Sequence, residues 1–267
     1  MWNELKRIYK CRDVVFHLTS SDLQAAHRNK LLGNLWALLD PLLMMAVLFF
    51  VFHKLHDRPI DFTLFILSGL VVWNFFLHYL TNSATCIRRQ KNLILKVPLP
   101  MAIFPLSMML RHLNDLIWGF AAYTLMKIVL QAPLWSYLYY LWLPVLVGIF
   151  CLFVLGLALI ISCLGVFFLD MPNILGVVFR LGFFLNPIFW EMNSILPAKY
   201  HHIYLILNPV AGYLLLFRNV LLAGNAKYEY DFSIPYYIPY LIILSIGTFI
   251  VGLYIFHRTQ GHYAKYI

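Results

Sequence analysis

Long apolar blocks alternate with short basic segments along the chain. The blocks run roughly from Leu35 to Phe52, Phe62 to Thr81, within Ala102 to Leu130, Tyr139 to Leu169, Ile174 to Trp190 and Tyr237 to Phe256. A bilayer-crossing helix needs about 20 mostly apolar residues, and these blocks approach or exceed that length. Lipid offers no partner to backbone N–H and C=O groups, so such blocks must be helical. The pattern predicts an all-α integral membrane protein of about six transmembrane helices, with both ends in the cytoplasm.

A further apolar stretch, Ser194 to Gly224, is divided by Asn208-Pro209 into two pieces of about ten residues, a length that suits re-entrant or interfacial helices. It is expected to dip into the outer leaflet as short helices before the last span. Near the first span, Asp40-Pro41 suits a helix start, with Asp as cap and Pro in the first turn. At the amino end, Ser21 and Gln24 match a capping box. They predict a short amphipathic helix from Asp22 to Leu32, lying on the membrane surface or simply solvated. Three parts of one transmembrane domain result: a cytoplasmic arm and interface helix (1–33), a bundle (34–257) and a tail (258–267).

Composition agrees. Of 267 residues, 62% are hydrophobic and 12% charged, against about 25% charged in ordinary soluble domains. That is too little charge to cover a water-facing surface. The net charge of +9 would suggest nucleic acid in a soluble protein. Here the basic residues flank apolar runs, the pattern that orients membrane proteins. Lys6, Arg7, Lys10, Arg12, Arg28, Lys30, Arg88, Arg89, Lys91, Lys96, Arg258 and Lys265 fall on one side; Lys54, Arg58, Lys199, Arg218 and Lys227 fall on the other. This asymmetry places both termini inside. The start of the chain has no uninterrupted apolar stretch of the signal-peptide kind. Cys11, Cys86, Cys151 and Cys163 have no metal-binding spacing and read as small hydrophobes.

The candidate chemistry is sparse. There is no GxxxxGK[ST] phosphate loop, no HExxH and no GxSxG, and only 11 acidic residues. Transport fits better than catalysis, and energy for it must come from another chain. Arg111 and Asp115, spaced i,i+4, are expected to form a structural ion pair. Arg180 lies inside the fifth block, where a charge is expensive: it either faces a cavity or snorkels. Trp135, Tyr137, Tyr139, Tyr140 and Trp142 read as an interfacial belt. Trp73, Trp118, Phe183 and Phe184 fall deeper, where rings either pack against lipid or stack on sugars along a path.

The stretch Asp22-Leu-Gln-Ala-Ala-His-Arg-Asn-Lys-Leu-Leu-Gly-Asn-Leu-Trp-Ala-Leu-Leu-Asp-Pro-Leu-Leu43 resembles the opening of ABC-2 type permeases that export polysaccharides. Leu67-Ser-Gly-Leu-Val-Val-Trp73, Asn92-Leu-Ile-Leu-Lys-Val-Pro-Leu-Pro100, Asn186-Pro-Ile-Phe-Trp190, Asn208-Pro-Val, Phe217-Arg218 and Leu221-Leu-Ala-Gly224 follow in the family's order. The chain departs at Leu169-Asp170, where the family often has Arg-Asp, and at Asn186, where it often has Ser. The resemblance implies a homodimer of permease chains in the cytoplasmic (inner) membrane, served by two copies of a separate subunit that binds ATP and Mg. It implies no cofactor in this chain. It also implies a coupling helix between the second and third spans, with Arg28, Lys30, Arg88, Arg89, Gln90, Lys91 and Asn92 as contacts to the ATPase. Arg180, Phe183, Phe184, Trp118 and Trp73 are the candidate path residues. The implied cargo is a lipid-linked polysaccharide: O antigen, capsule or teichoic acid. The alternatives are an ABC-2 permease for a drug or small lipid, and a membrane-embedded transferase.

Overall fold

The computed structural model describes residues 2–27, 36–55, 59–97, 99–130, 140–222 and 237–263. Every regular element among them is a helix. The chain begins with α1 (Trp2–Lys10) and α2 (Arg12–His27). Ser21 therefore lies inside α2 and is not an N-cap. The helix extends ahead of it because Val15 and Thr19, one turn apart, pack on the bundle. Thr19 Oγ1 donates to Val15 O at 2.8 Å and to Ser107 O at 3.2 Å. This tertiary packing overrides the local capping preference of serine.

The first apolar block forms α3 (Trp36–Phe49), continued by a π-helical turn, Phe50–Leu55. Pro41 lies within α3, so Asp40 does not cap its start. A proline there supplies no N–H to the carbonyl one turn back. Asp40 is left exposed on the helix flank. Next come α4 (Ile60–Ser83), the one-turn helices α5 (Cys86–Arg89) and α6 (Lys91–Ile94), and α7 (Ile103–Val129). The second half holds α8 (Leu143–Phe167), α9 (Met171–Leu185), α10 (Met192–Ile195), α11 (Ala198–Leu207), α12 (Pro209–Leu221) and α13 (Tyr237–Thr259).

By length and composition, α4, α8 with its leading turn, and α13 can each cross a membrane. The apolar stretches of α3 and α9 are shorter, and α7 has 27 residues but carries Arg111, Asp115 and Lys127. The pair α11–α12 bends by 112° at Asn208. Asn208 is the N-cap of α12, accepting from Ala211 N at 3.3 Å, and Pro209 takes the first helical position. This is the N-terminal chemistry such a break calls for. The bend region and the C-terminus of α12 are anchored where α9 and α7 end. Tyr204 of α11 donates to Leu185 O at 2.7 Å, and Lys127 and Tyr123 of α7 donate to Leu221 O at 3.0 and 3.3 Å. These donors satisfy a carbonyl that the C-terminus of α12 leaves open.

Most of α4 is enclosed, whereas α13 turns most of its apolar surface outward. The core lies where α4, α8 and α12 meet. Phe150 is its hub: the ring is fully buried and contacts Phe75, Phe76, Tyr213 and Phe217 at centroid distances of 5.8, 6.3, 4.9 and 5.6 Å.

Candidate transport path

Several sequence pieces that resemble the permease family converge in space. Asn186, at the end of α9, donates from Nδ2 to Gly182 O at 2.7 Å, and its Oδ1 accepts from Asn208 Nδ2 at 3.1 Å. The two Asn-Pro corners are thus joined to each other. Arg218 of α12 completes the knot. It has 0% exposure, and it donates from one terminal nitrogen to Ile188 O at 2.8 Å and from Nε to Phe65 O at 3.3 Å. Its guanidinium lies 3.7 Å from the Phe65 ring centroid. A buried guanidinium is tolerated where carbonyls and an aromatic face replace water. Arg218 is therefore not a loop charge, and it drops out of the charge asymmetry argued above.

Of the path candidates, the structure brings Trp73, Phe183 and Phe184 into one row. Phe183 meets Phe184 edge-on at 5.4 Å, Phe189 at 5.2 Å and Trp73 at 6.1 Å. Trp73 is 2% exposed. It packs between α4 and α9, against Phe76 and Phe179 as well, so in this state it supports the row rather than lining an open surface. Phe184 stands out at 70% exposure. Arg180 is exposed on the same helix, beside Val177, Val178 and Leu181. Trp118 is half-buried on α7, away from this row. The row extends to Phe52, 6.4 Å from Phe189, so the π-turn that follows α3 meets the corner that follows α9.

At the opposite end of the bundle, α5 and α6 form the basic segment. Arg89, Lys91 and Asn92 are exposed and Gln90 half-buried. Arg88 differs: it donates to Gly165 O and, at 3.1 Å, to Phe168 O. It thereby caps the C-terminus of α8, where a cation is favoured, and is not free for a partner. Cys86 beside it is buried, and loss of hydration pushes its thiol up to about 12. Arg28 and Lys30 lie outside the described residues, as do Trp135, Tyr137 and Tyr139 of the aromatic belt. The expected Arg111–Asp115 pair is not formed. Asp115 instead meets His112 Nδ1 at 3.3 Å, and the Nε2 of that imidazole meets Asn82 Nδ2 at 3.2 Å. Asp115 and His112 are also one turn apart, and the buried imidazole is held in place by Asn82 of α4, whereas Arg111 has no such anchor.

These features define a membrane-embedded helical permease, with a broken helix pair docked at one end and a basic two-turn segment at the other. The ABC-2 type transporter profile matches residues 13–222, and the chain belongs to that family. It is similar to the O-antigen export system permease protein RfbA of Klebsiella pneumoniae, 28% identical over 255 residues that cover 95% of this chain and 94% of that protein. The protein of the same name from Myxococcus xanthus is 27% identical over 210 residues, 78% of this chain and 80% of that one. The polysialic acid transport protein KpsM of Escherichia coli is 24% identical over 236 residues, 86% of each.

Proposed function

We propose that this chain is the membrane subunit of an ATP-driven exporter that carries a lipid-linked polysaccharide across the cytoplasmic membrane. The observation that carries this reading is likeness along nearly the whole length to permeases of O-antigen and polysialic acid export. Two copies would enclose the path, and two copies of an ATP-binding subunit would drive it. Six crossings, by α3, α4, α7, α8, α9 and α13, with α11–α12 re-entrant from the outer side, put both termini in the cytoplasm. The anchoring of the bend region to the end of α9 and of the C-terminus of α12 to the end of α7 supports this topology. Arg180, Phe183 and Phe184 are the path residues on this reading: α9 leaves Arg180 and Phe184 exposed, and the half-buried Phe183 backs Phe184 against Trp73 and Phe189. Arg89, Lys91 and Asn92 are the exposed contacts offered to the ATPase.

Deletion of the gene and complementation with the permease tests the function. Surface polysaccharide should vanish in the null strain and return with the wild-type chain. An unchanged surface would reject the proposal. Arg89→Glu with Lys91→Glu should leave the permease inserted but uncouple ATP hydrolysis from export; full export by that variant would remove the coupling assignment.

A further inference from the structure

A cavity of about 440 Å3 lies between α2, α3, α4 and α7, apart from the aromatic row on α9. Its volume falls within the range of small-molecule sites, about 300–1,000 Å3. Six polar side chains line it: Asp40, Asn74, His78, Arg111, His112 and Asp115. Asn74 and His78 stand one turn apart on α4, where nearly every other residue from Thr63 to Leu80 is buried. Arg111 and Asp115 stand one turn apart on α7. Among the described residues, Asp40, Asn74 and Arg111 have no hydrogen bond or ion pair of their own. Asp115 is the exception, oriented by His112, which Asn82 holds from its other nitrogen. Trp36 and Phe75 add aromatic surface to the same walls.

Asp40, Asn74, His78 and Asp115 are exposed and Arg111 is half-buried; polar and ionisable groups gathered on otherwise apolar membrane helices point to a ligand or a water-filled route. The lining selects the ligand. Two carboxylates and an amide oxygen accept hydrogen bonds; a guanidinium, an amide nitrogen and an imidazole donate them. A sugar ring offers hydroxyls that do both, together with an apolar face for the aromatic walls. A phosphate offers only acceptors and would be repelled by Asp40 and Asp115. We propose that this cavity is a glycosyl-binding subsite that holds a sugar unit of the cargo in the half of the bundle nearest α5 and α6. The inference rests on the polysaccharide reading above and adds to it a site and a set of contacts.

The test uses Asn74→Cys in a full-length permease whose native cysteines are replaced, reconstituted in lipid nanodiscs, with Lys96→Cys on the exposed basic segment as control. The probes are oligosaccharide fragments released by mild acid from the strain's own surface polysaccharide and, separately, inorganic pyrophosphate. At ten times their half-protecting concentration, the fragments should slow modification of Asn74→Cys by a methanethiosulfonate reagent about tenfold, as mass action requires. Lys96→Cys should be unaffected, and pyrophosphate should protect neither. In cells, Asp40→Asn with Asp115→Asn should lower export several-fold at unchanged permease abundance. Protection by pyrophosphate alone would make the cavity a headgroup site and overturn the proposal. Absence of protection by the fragments, while the wild-type chain restores surface polysaccharide to the null strain, would overturn the subsite and leave the export reading standing. Failure of the wild-type chain to restore it would overturn both.

Discussion

The α8–α13 pair and the helices α3 and α9 are all apolar, but they are held very differently. At the α8–α13 crossing, Gly156 and Gly252 face each other so closely that a Cβ on either would run into the opposite backbone. Small residues at such crossings let helix backbones approach and replace the hydrophobic drive that lipid does not supply. Farther along the pair, Thr259 and Tyr263 reach Cys163. By contrast, α9 buries only Leu175 and Phe179, and α3 buries Met45. Both leave apolar surface uncovered, with Leu43, Met44 and Val47 on one and Val177, Leu181 and Phe184 on the other. The contrast separates a pair locked backbone to backbone along one seam, although α13 turns most of its outer face away from the chain, from helices that bury little and leave their surface to lipid, a second copy or cargo. Side chains on the second kind can be chosen for transport, because little of the fold depends on them.

The largest loss is expected at Arg218, which is fully enclosed and holds two carbonyls while its other terminal nitrogen has no hydrogen-bond partner among the described residues. Arg218→Leu strands the Ile188 carbonyl, at a cost of about 1–3 kcal/mol, while Phe65 O keeps Ser68 Oγ at 2.7 Å. We expect a large fall in the melting temperature of the purified permease, with Arg218→Lys recovering part. A melting temperature equal to wild type would show that the guanidinium does not close the knot. Gly252→Val comes next: overpacking costs about 1–3 kcal/mol, and abundance in the membrane should drop several-fold. Gly247, on the same helix, has open space at its Cβ. Gly247→Ala should be neutral or slightly stabilising, since alanine favours helix by about 1 kcal/mol, and equal losses at both glycines would erase the distinction between faces. Arg180→Leu should leave stability unchanged or raised, because a charge within a span costs about 2.5–3.5 kcal/mol on insertion scales. Export should nevertheless fall, and Arg180→Lys should rescue it only partly, lacking the planar fork. Full export by Arg180→Leu would return α9 to an ordinary lipid-facing helix. The smallest effect concerns Cys86. With its thiol raised to about 12 by burial, almost no thiolate exists at neutral pH. A maleimide should modify the half-buried Cys11 well before Cys86, which becomes reactive only after denaturation; rapid labelling of native Cys86 would contradict its enclosure.

What could be read from the chain alone was whatever is written in runs. The apolar blocks located α4, α7, α8, α9 and α13 because their signal is local and repeated over many residues. Asn208-Pro209 announced the bend because its chemistry is confined to two positions. Partnerships across the fold were not legible. Nothing near Ser21 says that Val15 and Thr19 will dock on α7 and carry the helix past it. Nothing near Arg88 says that the end of α8 will supply its carbonyls. Asp115 has a basic residue at four positions and an imidazole at three, and only the position of Asn82 on another helix decides between them. Arg218 did carry a signal. It follows the apolar run Tyr213–Phe217 and precedes Val220–Leu222, surroundings that suit a buried arginine better than a loop.

The enclosure of Arg218 also bears on how the protein is made. Its partners, Phe65 O and Ile188 O, lie far earlier in the chain, and α11 and α12 are too short to be inserted as independent spans. The charged segment must therefore wait until α4 and the corner after α9 are in the membrane, and enter by docking on them. Until then the nascent chain displays a guanidinium among apolar residues without the carbonyls that later hold it. Assembly thus has a built-in order: α12 can close on its carbonyls only after α4 and the corner after α9 are in place.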